Sequence, residues 1–238
     1  MINDILHRDD LPLGGFAGLK EHRLVMSPKL FKQHANQGTW SGIGRFVYLA
    51  DARFDPKGET GMHDHKEIDV ISVMVEGLID HQGSLEHGQG LEPGDVQVQR
   101  AGGEGFSHNE INPDDTTNRM LQLWVLPEHL GERAAYRLYK PVTGQVTRIY
   151  GGNKDQNDTF PSKTIIEIVS LKANQSFQLQ HAFIAYLAIG KGTANDLDMI
   201  EGDLFKHDKF SFIAESDVTM IVIYITDMEE SSHEQLQK

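Results

Sequence analysis

Between residues 68 and 126, no apolar stretch runs long enough for a typical helix before glycine or proline interrupts it, and this spacing most constrains the fold. Ile68 to Val75 reads I-D-V-I-S-V-M-V, rich in β-branched side chains, and stops at Glu76-Gly77. Leu78 to His81 returns from that turn, and a glycine-rich loop follows from Gly83 to Gly90. Pro93-Gly94-Asp95 then makes a tight turn before Val96 to Gln99. Glycines at 102, 103 and 105 bend the chain into a strand from Phe106 to Ile111, and Met120 to Leu126 reads as another. Short strands with turns at this density predict an all-β sandwich or barrel.

Two motifs fall on these strands. Side chains two apart on a strand share a face, so His63-Asp64-His65 offers one pair of imidazoles. His108-Asn109-Glu110 offers an imidazole and a carboxylate in the same way. With 12 histidines in the chain, a lone pair would carry little weight, whereas two pairs side by side make a 3-His-1-carboxylate set. His63, His65, His108 and Glu110 are therefore the expected ligands of one divalent first-row metal. Fe(II) is taken first, with Mn, Ni, Cu or Zn as alternatives. Glu110 has three readings: ligand, general base, or hydrogen-bond partner that orients His108. His81 and Gln97 are candidate substrate-pocket residues because their strands flank the proposed site.

Several of these segments carry a resemblance. Gly61-Met62-His63-Asp64-His65, Val75-Glu76-Gly77, Pro93-Gly94-Asp95-Val96-Gln97 and the stretch from Ala101 to Glu110 resemble successive motifs of the pirin family. The likeness continues more weakly through Leu123-Trp124-Val125-Leu126-Pro127. It implies a bicupin, two tandem cupin (jelly-roll) β-barrels, with a metal in the first and its ligands at His63, His65, His108 and Glu110. Bacterial members of the family include enzymes that open flavonols such as quercetin with dioxygen. Asp64 and Asp69 depart from the family pattern, which usually has Pro and Glu at those positions; the ligands themselves are intact.

The expected domains are residues 1–130, holding the metal, and 131–238, without a metal site. A break in the strand pattern near residues 128–146 marks the boundary, and Gly151 to Asp158 reads as a polar loop. In the second half, Ile165 to Leu171, Ser176 to Leu179, Ala182 to Ile189 and Met220 to Ile225 read as strands, and Glu201-Gly202-Asp203 echoes Pro93-Gly94-Asp95. His181, His207 and His233 stand alone there.

Charge narrows the partners. Lys and Arg total 22 against 35 Asp and Glu, a net charge of −13 with no basic cluster, which argues against direct nucleic-acid binding. No apolar run approaches the ~18 residues of a membrane helix. The start Met1 to His7 lacks a basic segment followed by an apolar core, and there is no cysteine, so a cytoplasmic location is expected. The acidic stretch from Asp227 to His233 reads as a solvated terminus.

Three functions follow. The first is a metal-dependent dioxygenase acting on quercetin or a related flavonol with O2. The second is a non-enzymatic, metal-dependent regulator that binds a protein partner. The third is a cupin isomerase or lyase, since one ligand set serves several chemistries.

Overall fold

The computed structural model describes residues 5–85 and 88–226. The acidic stretch read at 227–233, His233 within it, and the first four residues lie outside that range. The regular structure of the described residues is nearly all strand; its one α-helix, Pro28–Phe31, is a single turn capped by the Ser27 hydroxyl. No helix among the described residues is long and apolar enough to cross a membrane.

The chain forms two compact units. One is Leu11–Lys140. Its larger sheet runs, edge to edge, Ala135–Tyr139, Val96–Arg100, Asp69–Glu76, Arg119–Val125, Phe46–Phe54, Leu19–Met26 and Leu13–Phe16. Its smaller sheet runs His63–His65, Phe106–Ile111, Ile79–Gly83 and Gly90–Leu91. Every pairing in both is antiparallel. The two sheets share their apolar faces: Phe54, Met74 and Met120 of the larger pack with Ile79 and Leu91 of the smaller. Fully burying side chains of this size stabilises by roughly 1.5–3 kcal/mol each, so the shared face holds the layers together.

The other unit takes the described residues of Met1–Asp10 and Pro141–Lys238 and has the same two-sheet plan. A six-stranded sheet is ordered Ile5–His7, Asp203–His207, Phe183–Ile189, Val218–Ile225, Ser162–Leu171 and Val146–Gly152. A four-stranded sheet is ordered Ser176–Leu179, Phe210–Ala214, Lys191–Ala194 and Leu197–Ile200. Phe177, Phe210 and Phe212 from the smaller sheet meet Phe183, Phe205 and Val222 from the larger in one core. Each unit is a jelly-roll, and the chain is a bicupin.

The echo between the halves is structural. Asp95 Oδ2 accepts the backbone N–H of Glu92 at 3.2 Å, and Asp203 Oδ2 accepts that of Ile200 at 2.8 Å. Each aspartate closes a turn around a left-handed glycine, Gly94 at φ 91° and Gly202 at φ 97°, where an L side chain is strained.

The expected boundary between 130 and 131 is displaced. Ala135–Tyr139 pairs with Val96–Arg100 and so belongs to the first unit. Ile5–His7 pairs with Asp203–His207 and joins the second, where His7 Nδ1 lies 2.7 Å from Asp203 Oδ1. The strand break near 128–146 contains the chain's passage at Lys140–Pro141, but a short edge strand inside it leaves little pattern to read. The polar loop expected from Gly151 starts later, because Val146–Gly152 is a strand.

Candidate metal centre and cavity

The histidine motifs meet through strand register. His63–His65 lies antiparallel to Phe106–Ile111, with His108 opposite His63 and Phe106 opposite His65. That pairing puts His63, His65 and His108 on one face. Gly83, opposite His108 on the other neighbouring strand, lets the strands close up: a Cβ there would sit 2.3 Å from the Ser107 carbonyl oxygen.

The three imidazoles converge through Nε2. His108 Nε2 lies 3.0 Å from His63 Nε2 and 3.2 Å from His65 Nε2, and all three lie within 4.8 Å of one another. His63 Nδ1–H donates to the Gly61 carbonyl at 2.9 Å, which leaves its Nε2 as a lone-pair donor. Burial, reinforced by the neighbouring histidines, pushes His108 down to about 2 and His65 down to about 4. Both are therefore neutral near pH 7, the form that binds a metal. Three ring nitrogens converging on one point are a donor set that fits a divalent first-row ion.

Glu110 lies outside that triad but lines the same cavity. Its backbone N–H donates to Thr60 Oγ1 at 3.1 Å. Its Oε1 accepts from Ser72 Oγ at 2.8 Å and Gln97 Nε2 at 3.2 Å, and its Oε2 from Gln122 Nε2 at 3.2 Å. Complete burial pushes the carboxyl up to about 7, a rise that these three donors limit.

The cavity is about 500 Å³, a volume suited to a small organic ligand. Neither His81 nor Gln97, both expected on its wall, lines it. His81 is fully buried and accepts from Gln99 Nε2 at 3.1 Å, while the fully buried Gln97 gives its amide nitrogen to Ser72 and Glu110. The lining side chains that sequence reasoning missed come largely from Leu19–Met26 and Phe46–Phe54. Trp124 packs edge-on to His65 with ring centroids 5.7 Å apart, Tyr48 lies 4.5 Å from Trp124, and Phe31 lies 5.5 Å from Tyr48. Beyond them Tyr48 Oη donates to Glu21 Oε2 at 2.8 Å, and Arg23 Nε donates to Glu21 Oε1 at 2.7 Å. Burial and the Glu21 carboxylate hold the Tyr48 phenol protonated far above its ordinary range. The available signal was Glu21 and Arg23 two apart, a same-face ion pair inside the polar stretch from Lys20 to Arg23 that leads into Leu24-Val25-Met26.

Two jelly-roll units, one with converging histidines beside an aromatic cavity, define a bicupin with a candidate metal centre. Residues 26–125 match the family model described as Pirin, and over that stretch the chain is similar to the pirin family. A Zymomonas mobilis protein, provisionally named a quercetin 2,3-dioxygenase, is 26% identical over 186 residues, covering 73% of this chain and 79% of that protein. Quercetin 2,3-dioxygenase of Escherichia coli K12 is 32% identical over 88 residues, 36% of this chain and only 38% of the relative. The crystal structure of the bacterial pirin YhhW from Escherichia coli, in complex with nickel(II), superposes with a TM-score of 0.80 at 17% identity, covering 93% of this chain and 97% of that one. A quercetin 2,3-dioxygenase from Acinetobacter baumannii gives 0.70 at 19% identity over 95% and 86%. At these identities the structural likeness establishes the fold.

Proposed function

We propose that the chain is a metal-dependent dioxygenase that opens quercetin or a related flavonol with dioxygen. The observation that carries the reading is the convergence of three imidazoles beside a buried carboxyl and an aromatic-walled cavity. The names of the relatives supply the substrate class.

His63, His65 and His108 would hold the ion, with Fe(II) taken first. Bound there, a divalent ion supplies Lewis acidity toward a substrate hydroxyl and, if redox-active, a route for electrons to dioxygen. Trp124, half-buried in the cavity lining and backed by the buried Tyr48, offers an aromatic surface against which a fused ring can lie. Phe54 and Met120 line the same space and limit its water. Glu110 is poised to take the proton of the flavonol 3-hydroxyl, because a carboxyl with a pKa near neutrality accepts and returns protons near pH 7. Its Oε1 already accepts two hydrogen bonds and Oε2 only one, so Oε2 keeps a lone pair for that proton. The alternative role as fourth ligand uses the same oxygen.

Oxygen uptake with quercetin tests this on protein stripped of metal and reconstituted with Fe(II), Mn(II), Ni(II), Cu(II) or Zn(II). Turnover is expected with a redox-capable ion and is expected to vanish in His63→Ala. Glu110→Gln should lose at least about 100-fold in kcat, the scale of a general base, while keeping its metal; loss of the metal instead would make Glu110 a ligand. Stoichiometric binding of each ion without oxygen uptake would exclude the dioxygenase reading.

A further inference from the structure

The cavity wall remote from the histidine triad along the Trp124–Tyr48 stack carries chemistry that the proposed reaction leaves unused. Glu21 is 3% exposed and fully engaged: Oε1 accepts from Arg23 Nε and Nη2, both at 2.7 Å, and Oε2 accepts from Tyr48 Oη at 2.8 Å. The grip fixes two nitrogens of the guanidinium fork. Tyr48 adds a further contact to the guanidinium, and 29% of the Arg23 side chain still remains exposed, on a residue that lines the cavity. Arg23 is therefore a rigid donor held at a wall rather than a mobile surface cation.

Charge decides what such a donor receives. Arg23 is compensated by Glu21, so this wall offers no net positive charge. A strong anion such as a carboxylate or phosphate would meet the Glu21 carboxylate as well as the donor. A phenolic oxygen accepts a guanidinium N–H bond without bringing a full charge into that field. The aromatic body of such a substrate has Trp124, backed by Tyr48, to lie against.

We infer that Arg23, held by Glu21 and Tyr48, selects polyphenolic flavonols by receiving a phenolic oxygen remote from the group that faces the histidines. The inference rests on the flavonol-site reading above and adds the residue that discriminates among flavonols.

Calorimetric titration without dioxygen separates the two. Quercetin and 3-hydroxyflavone share the 3-hydroxyl and the ketone; quercetin adds one hydroxyl beside the ketone, which is tied to it by an internal hydrogen bond, and three remote phenolic hydroxyls. Metal-reconstituted wild type should bind quercetin about tenfold or more tightly than 3-hydroxyflavone, the scale of one hydrogen bond to a charged group. In Arg23→Gln the quercetin Kd should rise by about that factor, while the 3-hydroxyflavone Kd stays unchanged. If Arg23→Gln does not fold because Glu21 is left buried without its cation, the Glu21→Gln/Arg23→Gln double variant reads the same contrast. Equal wild-type affinities, an equal loss for both ligands, or no binding of either would overturn the inference. A chain that discriminates as described yet consumes no dioxygen would uphold Arg23 and fail the dioxygenase reading.

Discussion

His63, His65 and His108 could be paired from sequence because a strand repeats every two residues, so HxH and HxE fix which side chains share a face before any partner is known. Distance is not carried by that pattern. Glu110 shares its strand face with His108, yet its carboxyl is held by Ser72, Gln97 and Gln122, three side chains from three other strands. Arg23 and Glu21 were missed for the same reason: their meaning comes from Tyr48, a strand away. A second buried ion pair carries a prediction about stability. Asp51 accepts from Arg119 Nε at 3.0 Å and from Nη2 at 2.6 Å, and the two side chains are 0% and 4% exposed. Asp51→Ala leaves the guanidinium buried without its counter-charge and should lower stability by about 3–5 kcal/mol in urea denaturation. A loss under about 1 kcal/mol, the range of an exposed pair, would show that water reaches the site.

At the scale of elements, the expected strands from Ile68 to Ile111 appear with ends moved by a residue or two, since turn residues mark strand limits only loosely. Phe106–Ile111 has the expected bounds. The strands Leu19–Met26 and Phe46–Phe54 received no functional reading, although they build much of the cavity. Phe46–Phe54 is buried almost throughout, and Leu19–Met26 alternates only from Leu19 to Glu21 before the buried run Leu24 to Met26, so neither shows the clean alternation that marks a two-faced strand. Pairing geometry makes Gly83 a sensitive point. A Cβ there meets the Ser107 carbonyl oxygen and, at 3.0 Å, the Cα of His108. Gly83→Ala should push the His108 strand away and weaken metal binding by about 10-fold or more, the scale seen when supports of a ligand are lost. Gly14→Ala, whose Cβ would meet nothing nearer than 3.8 Å, is the control. Metal titration of both variants checks this; equal affinities would mean that the strand pair absorbs the extra methyl.

At the scale of the whole molecule, duplication was legible from the repeated Gly-Asp turn, and the exchange of edge strands was not. Ile5–His7 and Ala135–Tyr139 are short and lie at sheet edges, where weak patterning suffices because one side of the strand stays unpaired. The second unit should depend on its aromatic core. Phe210 is 1% exposed and stacks on Phe183 with centroids 4.2 Å apart, so Phe210→Ala should cost about 3–5 kcal/mol in urea denaturation. A much smaller cost would mean that the core collapses into the space. This unit also carries a pH-dependent term. Burial pushes the Glu167 carboxyl above its ordinary 4.5, and Arg148, at 3.2 Å, only partly opposes the shift. The folded chain therefore holds that proton more tightly than the unfolded chain. The stabilising contribution is complete below pH 4.5 and is lost as pH rises through the raised value. In Glu167→Gln the plot of stability against pH should be flatter just above pH 4.5; an unchanged slope would assign it to other groups.

The most direct test of the whole account is the metal content of the purified chain, measured by elemental mass spectrometry after dialysis against a divalent ion and then buffer. One ion per chain in wild type, falling to almost none in His63→Ala, His65→Ala and His108→Ala variants that remain folded by circular dichroism, is the predicted result. Equal metal content in wild type and all three variants would contradict the account, because the ion would then be held somewhere other than where these imidazoles meet.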